Sequence, residues 1–176
     1  MLVKIFSGAV SGIEATTITI EVNILWGAKF IIVGLPDNAV KESQQRVDSA
    51  LRNIGSKIPG KRIIVNLAPA DVKKEGSAYD LPLAVGILAA NEEIPATELP
   101  HFAMLGELSL DGSLLAVKGV LPIAINAKAE GFSHMIVPYE NANEAAVVKG
   151  LKVYGFSHLR EVTSFLKKEQ LSLIHI

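Results

Sequence analysis

The feature that most constrains this chain is a change of hydrophobic period along it. In residues 14–24, EATTITIEVNI, the side chains of Ile18, Ile20, Val22 and Ile24 alternate strictly with their neighbours. A period of two places them on one face of a strand, and branching at Cβ suits that geometry. In GLPDNAVKESQQRVDSALRNIG the period changes, and Val40, Val47, Leu51 and Ile54 recur at helical spacing. That spacing predicts an amphipathic helix with its polar face outward. Asp37 or Asn38 can cap its start, and Gly55 can end it in a left-handed conformation.

The later runs alternate between the two periods. KFIIVG (29–34) follows a short Trp26-Gly27-Ala28 turn, which suggests a hairpin with the strand before it. RIIVNLA (62–68) reads as a buried strand, and LPLAVGILAAN (81–91), apolar all round, as a helix covered on most sides. AMLGELSLDGSLLAV (103–117) alternates about Asp111-Gly112 and predicts a two-residue hairpin turn, whose central residues both need positive φ. Then come a helix over GVLPIAINAKAEG, a strand HMIVP, a short helix from Asn141, a strand LKVYG and a helix over HLREVTSFLKKE. Strands first and alternation later imply an α+β (mixed α/β) domain rather than a plain doubly wound sheet.

At 176 residues the chain has room for one domain with a substantial core. That domain is assigned to 1–170. The last six residues, LSLIHI, are apolar and follow a lysine-rich helix end, where a polar linker is usual. The same six residues are the translation of a common transposase sequencing adaptor. Residues 171–176 are therefore expected to be non-native, with a short docking strand as the alternative, and the natural protein to continue beyond Gln170.

Composition narrows the functional classes. The sequence is 49% hydrophobic and 20% charged with a net charge of −1, typical of soluble globular proteins, so whole-chain charge does not point to nucleic acid. Without cysteine there is no disulfide framework, thiolate nucleophile or cysteine-bound metal. The start, MLVKIFSGAV, lacks a signal-peptide pattern, and no run approaches the roughly 18 apolar residues of a membrane span. A cytoplasmic protein with no membrane partner is expected.

GSKIPGKR (55–62) nearly matches the phosphate-binding pattern G-x-x-x-x-G-K-[ST], with Arg62 in place of the hydroxyl residue. The pattern works by linking a strand to a helix, so that helical N–H groups face the phosphates. Here a helix precedes and a strand follows, which makes the stretch a turn. His101, His134, His158 and His175 show no H-x-x-x-H or H-E-x-x-H spacing, so no metal site is expected. Lys57, Lys61, Arg62, Lys73 and Lys74 could form a small basic surface around RIIVNLA that contacts nucleic acid or a partner. Without interleaved aromatics the usual reading of such residues is a solvated face.

KKEGSAYDLP (73–82) has the composition of a hydrolase loop. Ser77 with Lys74 or Lys118 would make a serine–lysine dyad, since a desolvated lysine loses its proton and can act as base. The adjacent lysines, however, sit beside Glu75 in a polar loop that gives no obvious reason for a depressed pKa. The structural alternative is a helix start. Ser77 as N-cap would put Pro82 at the fifth helical position and lose a backbone bond, whereas Asp80 as N-cap puts it harmlessly at the second.

Five longer stretches go further: IVGLPDNAVKES (32–43), NLAPADVKKEGSAYDLPLAVGILAA (66–90), LGELSLDGSLLAVKGVLP (105–122), IVPYENANEAAVVKGLKVYG (136–155) and HLREVTSFL (158–166). With them, essentially all of residues 1–170 resembles the N-terminal domain of the ComM/YifB-type Mg-chelatase-like AAA+ ATPases. The resemblance implies the fold of the Lon proteolytic domain, shared with GHMP kinases and a ribosomal small-subunit protein domain, including a left-handed βαβ crossover against the usual rule. It implies that the ATPase module, with its ATP and Mg sites, follows this domain, leaving no cofactor here. It also implies a parent that forms a hexameric ring and acts on DNA as a branch-migration helicase in natural transformation. Lon-type proteases carry the nucleophile in a G-P-S-A-G-like loop and the lysine after a G-G-L-K-like turn. Here EGSAYDLP lacks the proline, so Ser77 does not align cleanly with the nucleophile. In VKGVLP the lysine position falls on Leu121, with Lys118 three positions earlier. The expectation is a noncatalytic accessory domain; the alternatives are a serine peptidase and a nucleic-acid or anion-binding module.

Overall fold

The computed structural model describes residues 1–58 and 60–168. The expectation for 171–176, and the last residue of the final predicted helix, lie outside the described residues. The chain opens with a long antiparallel hairpin of β1 (Leu2–Ser11) and β2 (Glu14–Trp26), in register from Leu2 opposite Asn23 to Ser11 opposite Glu14. As the period of two requires, Ile18, Ile20 and Val22 of β2 are fully buried.

The hairpin expected after Trp26 does not form. β3 (Phe30–Val33) lies parallel to β4 (Lys61–Ala68) at the sheet edge, and β4 takes the place beside β2. An eight-residue antiparallel ladder from Thr19 opposite Ala68 to Trp26 opposite Lys61 offers β2 more bonds than the four-residue β3 could. Nor is β4 buried on both faces: Ile63, Val65 and Leu67 are buried and the residues between them are not.

Between β3 and β4 runs α1 (Asn38–Asn53). It is capped by Asp37, which accepts the Val40 N–H at 2.7 Å, as the sequence predicts. It ends with Gly55 at φ +83°, Gly55 N–H bonding Arg52 O and Ser56 N–H bonding Leu51 O, both at 3.0 Å.

The remaining elements are α2 (Asp80–Ala90), β5 (Phe102–Met104), β6 (Glu107–Leu108), β7 (Leu114–Leu115), α3 (Val120–Ala129), β8 (His134–Pro138), α4 (Ala142–Ala146), β9 (Lys152–Phe156) and α5 (Leu159–Leu166). The main sheet has the order β3-β4-β2-β1-β5-β8-β9, with four of its six pairings parallel. Alternation along β8 assigns its two faces: Ile136 joins a core with α1, α2 and α5, while Met135 and Val137 join one with α3 and α4. The domain is thus a mixed α/β sheet covered by helices on both sides. Every residue of α2 is buried. Its Gly86 allows close approach to the sheet, since a Cβ there would lie 2.8 Å from Val22 Cγ2.

β6 and β7 form a separate hairpin, and its turn differs from the expected one. Gly112 has φ +92° and bonds Ser109 O at 3.0 Å, but Asp111 keeps negative φ, giving a three-residue loop with a glycine bulge. Asp111 is fixed instead by its carboxylate, which accepts from Ser109 Oγ at 2.5 Å and Ser113 N–H at 2.9 Å; these bonds lower its pKa to about 2. No helix among the described residues is long and apolar enough to cross a membrane.

Candidate functional site

The loop from Pro69 to Tyr79 joins β4 to α2 and is tied down along its length. Asp37 N–H bonds Lys74 O at 3.0 Å, Lys74 N–H bonds Leu35 O at 3.2 Å, and Gly76 N–H reaches the Asp37 carboxylate at 3.2 Å. One aspartate thus caps α1 and holds the loop. Tyr79, 2% exposed, donates its hydroxyl to Gly8 O at 3.2 Å, and burial raises the phenol's pKa.

Lys74 corrects two expectations at once. It is fully buried rather than part of a basic surface, and burial lowers its pKa despite the polar sequence around it, with Asp71 opposing. That direction suits a general base, but the ammonium donates to Gly34 O at 2.6 Å and to Pro69 O, not to Ser77. Its partners make Lys74 a clamp between the loops after β3 and β4. Lys73 pairs with Glu75 at 3.0 Å on the surface.

Ser77 and Lys118 do come together, lining one cavity of about 320 Å³ with Glu75 and Glu107. The Ser77 hydroxyl, however, donates to the Glu107 carboxylate, an acceptor that cannot relay its proton to a lysine without being protonated first. Counted from Gly76, the serine of the G-P-S-A-G-like pattern falls on Ala78, which lines both this cavity and a neighbouring one of about 310 Å³ that also contains Lys118. Leu121, at the lysine position, offers only its N–H, to Glu144 at 3.1 Å. Alanine and leucine thus stand at the two positions, and among the described residues no hydrogen bond joins Ser77 to a lysine.

Asp80 is not the N-cap of α2. It is the first helical residue, Tyr79 precedes it without a side-chain cap bond, and Pro82 is third, still among the N–H groups without intrahelical partners. The fully buried Asp80 carboxylate accepts from Arg46 Nε at 2.6 Å and Nη2 at 3.1 Å, and from Leu108 N–H at 3.0 Å. Burial raises the Asp80 pKa, with Arg46, Ser43 and Leu108 opposing; the same bond raises that of Arg46. This network joins α1, α2 and the β6–β7 hairpin around the loop. The only sequence signal for it was a lone acid at the head of an all-apolar helix.

The five basic residues do not form one surface. Lys57, Lys61 and Arg62 lie at the start of β4, and Lys73 and Lys74 beyond its end, about 23 Å along the strand. Of the histidines, His134 stacks against Phe102 and Tyr154 at 4.8 and 5.8 Å between ring centroids. His158 caps α5, accepting Arg160 N–H at 3.0 Å. His175 lies outside the described residues.

Comparison with known proteins identifies the scaffold. The family described as subunit ChlI of Mg-chelatase matches residues 20–141. The chain is 45% identical over 170 residues to the competence protein ComM of Haemophilus influenzae, covering 96% of this chain and 33% of that protein. It is 42% identical over 167 residues to the uncharacterized protein YifB of Salmonella typhimurium, covering 94% and 33%. Lon protease 2 of Bacillus subtilis is 32% identical over 125 residues, covering 69% of this chain and 22% of the protease, in keeping with a Lon-like fold. The chain spans about a third of the length of the ComM and YifB relatives it matches. From the match over 20–141 and the similarity to those two proteins along almost all of this chain, the chain belongs to the Mg-chelatase ChlI family, in its ComM/YifB branch.

Proposed function

We propose that this chain is a noncatalytic, Lon-like accessory domain at the N-terminus of a Mg-chelatase-like AAA+ ATPase. The observation that carries the reading is the bond from Ser77 to Glu107 in place of any lysine. In this reading the parent is a cytoplasmic, ring-forming hexamer. It binds ATP and Mg in a module outside these residues and acts on DNA as a branch-migration helicase. The name of one relative, competence protein ComM, supports a role in natural transformation. The domain's task is then assembly of the ring or engagement of its substrate.

The test compares ATP hydrolysis by this chain and by the full-length protein. The chain is expected to stay at the buffer background with or without DNA, and the full-length protein to turn over ATP faster on branched DNA. Hydrolysis by the chain alone would overturn the assignment of nucleotide chemistry to the rest of the parent. One observation favours a second reading, a serine peptidase: Ser77 and Lys118 share a cavity. It requires Glu107 to release the hydroxyl, and a lysine to take its proton.

A further inference from the structure

Trp26 is the chain's only tryptophan and is 93% exposed at the end of β2. An indole offers a large apolar face that folding normally covers, and no described residue buries this one. Opposite it in the β2–β4 register stands Lys61, its ammonium 5.8 Å from the ring centroid; the preceding pair is Leu25 with Arg62. Lys29 precedes β3 and Lys57 precedes β4. Lys29, Lys57, Lys61 and Arg62 enter no ion pair among the described residues. Alongside lies a hollow of about 320 Å³ lined by Lys29, Phe30, Gln44, Gln45, Asp48 and Lys61. Its acid, Asp48, is held by Arg52 at 2.9 Å.

We infer that this end of the sheet binds single-stranded nucleic acid, with a base stacked on Trp26 and the sugar–phosphate chain running over Lys29, Lys57 and Lys61, since alternation along β4 turns Arg62 to the other face. The aromatic missing from the basic run in sequence is supplied by strand pairing, which brings residue 26 beside residue 61. An exposed ring among unpaired cations is the combination that single-strand binders use, because every base has a face to stack. A duplex hides those faces, and an acidic peptide would use the cations but leave the indole idle. Gln44 and Gln45 present amides beside the hollow that can pair with a base edge. The surface lies at the opposite end of β4 from the Ser77 loop, so the inference goes beyond the accessory-domain reading and stands whether or not an ATPase is attached.

Because the chain has one tryptophan, its emission reports directly on the site. Titrating the whole chain with an oligothymidylate of about 12 nucleotides is expected to quench it. Three phosphate contacts give a logarithmic salt slope of about −2, so affinity should fall about twentyfold between about 50 and 200 mM salt. Trp26→Ala, followed by anisotropy of a labelled oligonucleotide, is expected to bind at least about tenfold more weakly, with Trp26→Phe in between. Circular dichroism should be unchanged in both, the side chain being exposed. Absence of quenching overturns the inference, as does equal affinity of Trp26→Ala and the native chain. Equal competition by duplex DNA or polyglutamate also overturns it, by reducing the site to an anionic-polymer patch.

Discussion

Gly34→Ala is expected to cost more than about 4 kcal/mol, most of the stability of a domain at the lower end of the usual range. Gly34 has φ +102°, which an L side chain rarely adopts, and an added Cβ would lie 2.1 Å from Leu67 O and 2.8 Å from Leu67 C and N. The obstacle is backbone inside the β3–β4 pair, so no rotamer change relieves it. Shifting the residue would also move its carbonyl, which holds Lys74. Gly55→Ala is the control: φ there is +83°, but nothing lies within 4 Å of the added carbon, so the loss should stay near the about 1–2 kcal/mol of left-handed strain. Urea midpoints of the two variants measure the difference. Equal losses would show that φ, and not the contact with Leu67, decides.

Arg46→Ala should cost about 3–5 kcal/mol, towards the lower end because Arg46 is 20% exposed and water can partly replace it. The loss comes from stranding the Asp80 carboxylate, which has no exposure of its own. The deficit should depend on pH. Asp80 already has a raised folded-state pKa from burial, and removing the guanidinium raises it further. A raised acid is stabilising below its unfolded value near about 4, and this is lost as pH rises through the folded value. The gap between variant and native chain is therefore smallest in acid and widens towards neutrality. Chemical denaturation at several pH values measures it, and a pH-independent gap would contradict an ionised Asp80 as the cause.

How much of this was legible in the sequence follows from which interactions are local. The faces of β2 and α1, Asp37 as cap and Gly55 as helix end all depend on neighbours within a turn or a strand, and the structure has them as the spacing requires. What was not legible depends on distant partners. Lys74 looks solvated among polar neighbours, but its cover comes from Gly34, 40 positions earlier. Asp80 has good cap chemistry, yet Arg46, 34 positions away, bonds both of its oxygens. β3 sits next to β2 in sequence but is separated from it by β4, because the longer ladder wins. The loop likewise looked like an active site because its composition is that of one, whereas the direction of each hydroxyl and ammonium is set by tertiary contacts. The serine points to a glutamate and the buried lysine to two carbonyls.

The central claim is that the Ser77 loop keeps the position of a protease active site without its chemistry. Fluorophosphonate labelling of the native chain beside Ser77→Ala and Lys118→Ala tests it most directly, because the probe reacts only with an activated serine. The expected result is no labelling of any of the three above a denatured control. Labelling of the native chain that disappears in both variants would contradict the account and establish a Ser77–Lys118 dyad.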